Sequence, residues 1–265
     1  MADRPIADRR IDVEKPRILI SNDDGIEAPG IKILEQIARE LTEDVWVVAP
    51  DQEQSGASHS LTTRRPLRLI ERSERHYAVD GTPTDCVLLA VRKVLRDQPP
   101  DLVLSGINGG SNAGEDMTYS GTVAAAMEAA LLGIPAVALS QEYPDGSPIP
   151  WETGQAFGAE VIRRLLEQSW PANLLVNVNF PGVPPDRVAG FAVTSQGKRD
   201  IAENLTEGND PRGRPYFWIG PIREVGDPEP GTDIAALLEN KVSITPVNMD
   251  LTYIRLLDPL RKLFE

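Results

Sequence analysis

Short apolar runs alternate along this chain with longer segments in which apolar residues recur every three or four positions. The short runs have the length of buried β-strands, and the longer segments have the periodicity of helices that bury one face. Strands that alternate with helices indicate βαβ units, which build a parallel sheet through right-handed crossovers. The pattern therefore predicts a doubly wound α/β fold with a mostly parallel sheet. The predicted strands of this sheet span residues 17–21, 45–50, 101–106, 135–140 and 174–180.

The predicted helices begin at sequence signals typical of helix starts. Pro29-Gly30 precedes the first helical pattern and Thr82-Pro83-Thr84 the second, because proline is tolerated in the first turn of a helix. An alanine-rich helix follows the third strand, and Gly133 is suited to cap its C-terminus. A hairpin is predicted between the second strand and the second helix. The helical patterns cover residues 31–41, 83–95, 122–133 and 152–168.

Three regions of the chain differ in composition. Residues 1–16 are polar and charged and form a predicted N-terminal extension, whereas residues 17–180 carry the alternating strands and helices of the core. Beyond residue 180, proline and glycine become dense, strands become short, and the sequence LLDPLRKLF has a helical pattern. We expect residues 181–265 to form a smaller C-terminal subdomain with a hairpin and a terminal helix, used in oligomer contacts.

The charge of the chain narrows the range of functions. Its 265 residues include 40 Asp and Glu against 27 Lys and Arg, a net charge of -13, so it lacks a basic surface for a nucleic-acid backbone. We expect no stable nucleic-acid partner, although a bound cation and backbone N–H groups permit a small anionic substrate. A single cysteine, no membrane-length apolar stretch and no secretion signal predict a cytoplasmic protein without membrane contact.

Three polar clusters follow predicted strands. They are NDDG at residues 22–25, DQEQSGASHS at 51–60 and INGGSNAG at 107–114. Ligands of open α/β sheets bind outside the carboxyl ends of the strands, so we expect the three loops to converge on one site. Loops are polar for general reasons as well, and it is the three clusters together that favour a site.

Asp23 and Asp24 are adjacent carboxylates at the end of an apolar strand. Two such charges about 5 Å apart repel by roughly 3 kcal/mol at an effective dielectric near 20, and a divalent cation removes that cost. The Ser55 hydroxyl and the Asn108 amide carbonyl are further hard oxygens, which favour one Mg²⁺ or Mn²⁺ per subunit, with Ca²⁺ as another option. Two histidines and one cysteine make a zinc site improbable. The alternative for the first cluster is a plain turn, since Asn, Asp and Gly are good turn formers.

Ser120, Gly121 and Thr122 lie where the alanine-rich helix is predicted to begin. Free backbone N–H groups and the positive end of the helix dipole make such a terminus a phosphate site, and small residues allow close approach. The alternative is that Ser120 or Thr122 is only a helix cap. Beside an acidic metal cluster, the terminus favours a phosphoryl group held between cation and helix.

The chain resembles the SurE family of metal-dependent survival-protein nucleotidases. Five blocks match the motifs of that family in order, between about residue 17 and about residue 252. Residues 1–16 precede the usual start of the family, and the stretch 201–214 aligns loosely. The matching blocks are ILISNDDGIEAPGI, VVAPDQEQSGASHSLT, GTPTDCV, PDLVLSGINGGSNAGEDMTYSGTVAAAMEAALLGIPAVALS and GTDIAALLENKVSITPV.

This resemblance implies a Rossmann-like core of the SurE type and a 5'-nucleotidase that hydrolyses nucleoside 5'- and 3'-monophosphates. It also implies a homodimer or homotetramer. Attack by a metal-polarised water in line with the leaving group is the expected reaction, with Asp23, Asp24 and Asn108 as catalytic residues. The metal ligands implied by the motifs are Asp23, Asp24, Ser55 and Asn108. The expected phosphate and substrate contacts are Asn22, Gly25, Ser120, Gly121, Thr122 and His59.

Two other functions stay open on the sequence. A non-catalytic nucleotide-sensing or scaffold protein would keep the fold and the site for binding only. An aspartyl-phosphate phosphatase would use Asp23 or Asp24 as the nucleophile, although that chemistry normally separates its nucleophile and acid by two residues.

Overall fold

The computed structural model describes residues 15–144, 147–171, 173–199, 205–219 and 227–265. The predicted N-terminal extension lies outside these residues except for its last two positions. Eleven strands are present in the described residues. They are β1 (Ile18–Ser21), β2 (Val45–Pro50), β3 (Leu69–Ser73), β4 (His76–Val79), β5 (Leu102–Gly109), β6 (Ala136–Gln141), β7 (Leu174–Phe180), β8 (Phe191–Val193), β9 (Leu205–Asn209), β10 (Pro215–Ile219) and β11 (Val242–Asn248).

Six α-helices accompany these strands in the described residues. The second continues as a π-helical turn at Ala90–Val94, so the predicted helix over residues 83–95 is confirmed with a changed last turn. The helices are α1 (Pro29–Arg39), α2 (Pro83–Leu89), α3 (Gly121–Leu131), α4 (Trp151–Leu166), α5 (Asp233–Leu238) and α6 (Leu257–Phe264). Among the described residues, no helix combines the length and apolarity needed to cross a membrane.

One nine-stranded sheet forms the centre of the molecule, in the order β3-β4-β2-β1-β5-β6-β7-β11-β8. Strands β4, β2, β1, β5, β6 and β7 run parallel, while β3 and β11 are antiparallel to their neighbours β4 and β7. The inner strands are buried on both faces, which explains why they read as continuous apolar runs rather than alternating ones. The predicted doubly wound, mostly parallel sheet is confirmed.

Helices cover both faces of this sheet. Ile31 of α1 and Ile162 of α4 pack into one apolar cluster, and Val87 of α2 and Ala129 of α3 into the other. Gly30 fits this packing closely, because a Cβ there would lie 1.9 Å from the carbonyl oxygen of Ile107 in β5. The start of α1 therefore lies directly against the strand that ends at the site described below.

In the described residues after 180, two strands join the central sheet and two others pair apart from it. Strand β11 pairs with β7 and β8 pairs with β11, so two later strands complete the central sheet. Strands β9 and β10 form the separate two-stranded hairpin that the sequence predicted, and α6 is the predicted terminal helix. The expected boundary at residue 181 thus marks a change in composition, not an end of the core.

Candidate active-site cleft

Three loops meet at the carboxyl ends of β1, β2 and β5 and enclose a cleft of about 330 Å³. This position is the one at which open α/β sheets bind ligands. Each of the three polar clusters contributes to the wall, so their predicted convergence is confirmed. The cleft is lined by Asp23, Asp24, Glu53, Ser55, Gly56, Asn108, Gly109, Asn112, Asp116, Tyr119 and Ser120.

Asp23 is the deeper of the two aspartates and is 5% exposed. The Thr122 hydroxyl donates a hydrogen bond to its Oδ1. Burial raises the pKa of Asp23, whereas the Thr122 hydroxyl and the backbone N–H groups of Thr122 and Gly121 lower it. The first turn of α3 thus supports this carboxylate with the unpaired N–H groups of a helix N-terminus.

Gly121 allows this approach because it lacks a side chain. A Cβ at this position would lie 2.6 Å from the Cβ of Asp23 and 2.8 Å from its Oδ2, and both distances are closer than real Cβ contacts. The glycine was predicted as a phosphate contact. In the fold its small size makes room for Asp23, and its phosphate role stays a prediction.

Asp24 is half-buried on the wall of the cleft. Burial and the negative charges of Asp23 and Glu53 raise its pKa to about 6, against a small lowering by the Gly109 backbone. Among the described residues that line the cleft there is no lysine or arginine. The two aspartates therefore share a region of uncompensated negative charge, as expected for a site that attracts a cation.

Asn108 reaches the cleft through an irregularity in β5. Ser105 pairs with Ala138 and Asn108 with Ser140, so β5 carries one extra residue relative to β6, which is a β-bulge that re-aims the following side chains. Gly106 lies within it at φ +129° and approaches the carbonyl oxygen of Leu139. The Asn108 amide nitrogen donates to the Gly110 carbonyl oxygen at 2.8 Å, which leaves its carbonyl oxygen as the group free to bind a ligand.

Ser55 lies on the exposed side of the cleft, in the loop after β2. Its hydroxyl donates to Oε1 of Glu53 at 2.8 Å, and the oxygen lone pairs stay available. The described residues contain no group of three or more His, Cys, Asp or Glu side chains arranged to hold a metal. The candidate donor set is therefore two carboxylates with neutral hydroxyl and amide oxygens, which suits Mg²⁺ or Mn²⁺ better than zinc.

Ser120 is both a helix cap and part of the cleft wall. Its hydroxyl oxygen accepts a hydrogen bond from the Val123 N–H at 3.0 Å, so the hydroxyl proton stays free to donate to an anion. Thr122 begins the same helix but is fully buried behind Asp23. Of the three predicted phosphate residues, Ser120 alone lines the cleft.

Three other predicted contacts do not line the cleft. The Asn22 amide nitrogen donates to the Gly25 carbonyl oxygen at 2.9 Å, and Gly25 has φ +100°, so this pair shapes the turn that presents the aspartates. The ring Nε2 of His59 lies 3.0 Å from Oε2 of Glu128. The substrate roles of Asn22, Gly25 and His59 stay predictions.

The wall also contains residues that the sequence did not reveal. Asn112 is buried, its amide nitrogen donates to Ser140 Oγ at 2.8 Å, and its backbone N–H donates to Asn179 Oδ1 at 2.7 Å. Asn177 donates to the Asn112 carbonyl oxygen at 2.7 Å. The sequence signal for these contacts was the pair of alternating asparagines in LLVNVNF, residues 174–180, because asparagine is unusual in a fully buried strand.

Asp116 connects the cleft to the later part of the chain. Its Oδ2 lies 3.4 Å from Nε of Arg199, whose side chain is 10% exposed. Burial raises the pKa of Asp116, the charge of Arg199 lowers it, and Glu115 and Asp233 raise it further. Arg199, a residue beyond position 180, thus contacts a side chain of the cleft wall.

Comparisons of the whole chain with known proteins match one family and its fold. A family model described as survival protein SurE matches residues 18–203. The 5'-nucleotidase SurE of Paramagnetospirillum magneticum is 59% identical over 237 residues, covering 89% of this chain and 91% of that protein. The 5'-nucleotidase SurE of Parvibaculum lavamentivorans is 51% identical over 240 residues, covering 89% and 87%. The crystal structure of the SurE protein from Aquifex aeolicus superposes with a TM-score of 0.83 at 41% identity, covering 94% of this chain and all of that one.

Proposed function

This chain belongs to the SurE family, and we propose that it hydrolyses nucleoside monophosphates in the cleft at the carboxyl ends of β1, β2 and β5. The activity is that of a 5'-nucleotidase, the name carried by relatives that are 59% and 51% identical to it. Both nucleoside 5'- and 3'-monophosphates are its substrates. The observation that supports this site is the adjacent pair Asp23 and Asp24 in the wall of a cleft that carries neutral oxygen donors and is lined by no lysine or arginine among the described residues.

The residues present fit a divalent cation. Asp23 and Asp24 supply two charges, and Ser55 and Asn108 supply neutral oxygens from two other loops. Burial, and after it the negative charges of Asp23 and Glu53, raise the pKa of Asp24, and a bound cation would offset both. We assign one Mg²⁺ or Mn²⁺ per subunit to these four residues. When bound, it supplies positive charge that stabilises the phosphoryl oxygens and lowers the pKa of water.

The other side chains of the site position Asp23, the phosphate and the cation. Thr122 and the start of α3 hold Asp23 in place. Ser120 donates its free hydroxyl proton to a phosphoryl oxygen, and the Asn108 amide is fixed by Gly110 so that its carbonyl oxygen faces the ligand. Positioning and electrostatic stabilisation account for most of phosphoryl transfer catalysis, which needs little covalent chemistry from the protein.

The test is release of inorganic phosphate. Purified protein with Mg²⁺ or Mn²⁺ should release phosphate from a nucleoside 5'-monophosphate, EDTA should stop the release, and added metal should restore it. No release with either metal, together with tight nucleotide binding, would favour a nucleotide-sensing protein. A covalent phospho-aspartate trapped during turnover would favour the aspartyl-phosphate mechanism.

We also propose that this enzyme is a cytoplasmic homodimer or homotetramer. Helix α6 has no buried residue, and Leu260, Leu263 and Phe264 on it are 46%, 73% and 84% exposed. The hairpin of β9 and β10 is likewise exposed along β10, including Phe217 and Trp218. Exposed apolar surfaces of this kind are typical of protein interfaces, and a second copy of the chain is the partner that fits a homo-oligomer.

A further inference from the structure

The loop of residues 51–60, which carries Ser55, is hydrogen-bonded to the segment that precedes α3. The Ser58 hydroxyl donates to the Thr118 carbonyl oxygen at 2.7 Å, and the Ser58 N–H donates to the Tyr119 carbonyl oxygen at 3.2 Å. These bonds hold the second half of the loop near the cleft, through residues that precede α3.

His59 and Glu128 provide a second attachment. Nε2 of His59 lies 3.0 Å from Oε2 of Glu128, and the two side chains are 25% and 9% exposed. An ionised carboxylate is only an acceptor, so Nε2 carries the proton of this bond. Glu128 lies in the alanine-rich helix α3, where a buried carboxylate needs a donor to offset its lost hydration. His59 supplies that donor.

Helix α3 therefore holds two parts of the cleft at once. Its first turn supports Asp23 through the Thr122 hydroxyl, and Glu128 follows six residues later, about 9 Å along the helix at 1.5 Å per residue. A rigid helix fixes the separation of whatever is attached to it. We propose that His59 is a positioning residue, which acts through Glu128 to hold Ser55 at the correct place relative to Asp23 for binding a divalent cation.

This inference rests on the proposed function, because it takes Ser55 as a ligand of the cation. It also gives His59 a role beside the one first expected. The residue does not line the cleft, and its Nε2 is engaged by Glu128. The proposed action is therefore on the ligand-bearing loop, and the contact with substrate stays a prediction.

The chain contains a matched control pair. Nε2 of His76 lies 3.1 Å from Oε2 of Glu35, and these side chains are 24% and 20% exposed. His76 begins β4 and pairs with Val47 near the start of β2. It therefore lies toward the amino ends of these strands, whereas the cleft lies at the carboxyl ends. The two histidine–glutamate pairs thus share chemistry and differ in location.

The experiment compares His59→Ala, His59→Gln and His76→Ala with the wild-type protein. Amide hydrogen exchange without metal reports on the loop at Ser58, and isothermal titration with Mn²⁺ reports on cation binding. We expect His59→Ala to speed exchange at Ser58 and to weaken Mn²⁺ binding by about tenfold, the scale on which outer partners of metal ligands act. His59→Gln, which keeps an N–H donor, should recover most of the loss. His76→Ala should bind Mn²⁺ as the wild type does.

Loss of His59 leaves a buried carboxylate without its donor, so the double variant His59→Ala/Glu128→Gln removes that charge and separates misfolding from mispositioning. It should fold and still bind Mn²⁺ about tenfold more weakly. Wild-type Mn²⁺ affinity in either variant would overturn the inference, and so would a His59→Gln protein as weak as His59→Ala. A wild-type protein that binds no Mn²⁺ would overturn the proposed function instead, and the exchange rates would still decide whether the pair holds the loop.

Discussion

The Thr122 hydroxyl donates a hydrogen bond to Oδ1 of Asp23 across a separation of 99 residues in the chain. It links the first turn of α3 to the turn that follows β1. Both side chains are buried. This bond therefore fixes the orientation of the aspartate before any ligand is bound.

Replacing Thr122 by valine should destabilise the protein and weaken cation binding. Valine keeps the shape but removes the donor, and a hydrogen bond to a charged group contributes about 1.5 to 3 kcal/mol. We expect the free energy of unfolding in urea to fall by about that amount at neutral pH. Thr122→Ser keeps the hydroxyl and should lose less than about 1 kcal/mol. Equal stability of the valine and serine variants would show that the hydroxyl contributes nothing.

Replacing Asp24 by asparagine should have opposite effects on activity and on stability. The change removes a charge that is repelled by Asp23 and Glu53, so the metal-free protein at neutral pH should have a higher Tm than the wild type. Metal-dependent phosphate release should fall by at least about 100-fold, the upper end of the loss seen when a ligand's outer partner is removed. Asp97→Asn, at an exposed site outside the cleft, serves as the control and should change neither value. Wild-type turnover by Asp24→Asn at saturating metal would contradict the metal assignment.

The raised pKa of Asp24 also predicts how metal-free stability depends on pH. Between its ordinary value of 3.8 and about 6, the folded protein keeps a proton on Asp24 that the unfolded chain has lost. The free energy of unfolding should therefore fall as the pH rises through this window. Calorimetry in EDTA should show a smaller fall for Asp24→Asn than for the wild type. Since cation binding needs the ionised carboxylate, Mn²⁺ affinity should rise over the same window. A wild-type Tm that rises in parallel with that of Asp24→Asn would contradict the raised pKa.

The sequence was sufficient for the main sheet and for the convergence of three loops, because both follow from local patterns. Buried parallel strands are continuous apolar runs, and their carboxyl ends must share one edge. The addition of β8 and β11 to that sheet was missed. Pairing between β11 and β7 joins residues about 65 positions apart, such as Ser243 with Asn179, and no local pattern specifies it.

The same limit applies to the side chains of the cleft. A buried asparagine such as Asn177 is unusual in a strand, and only the fold shows that its amide donates to the carbonyl oxygen of Asn112. Thr122 was expected at a phosphate because helix starts bind anions, and that role stays a prediction. The structure adds a contact with another negative group, since the Thr122 hydroxyl donates to the Asp23 carboxylate. What the sequence lacked was the long-range packing that brings a carboxylate to this helix start.

Asp233 should be essential for holding the late part of the chain against the cleft. Its fully buried carboxylate accepts the backbone N–H groups of Gly114 at 2.9 Å, and of Gly197 and Ile234 at 2.8 Å each. Asp233→Ala leaves the two buried donors of Gly114 and Ile234 and the half-buried donor of Gly197 unpaired. A buried unpaired donor costs about 1 to 3 kcal/mol, so we expect at least about 2 kcal/mol lower stability in urea. Asp258→Ala, an exposed aspartate in the first turn of α6, should change stability by less than about 0.5 kcal/mol. A loss below about 1 kcal/mol for Asp233→Ala would contradict this role.

Helix α6 should form a contact between copies of the chain. Leu263 and Phe264 expose most of their surface, and no residue of this helix is buried, so an isolated subunit leaves this apolar surface in water. Replacing both by glutamate places charges at the proposed interface, where an unpaired buried charge costs several kcal/mol. Size-exclusion chromatography with light scattering should show a smaller assembly for Leu263→Glu/Phe264→Glu than for the wild type. Lys262→Glu on the same helix controls for charge alone. An unchanged mass for the double variant would mean that α6 lies outside the interface, and the hairpin residues Phe217 and Trp218 would then be the surface to test.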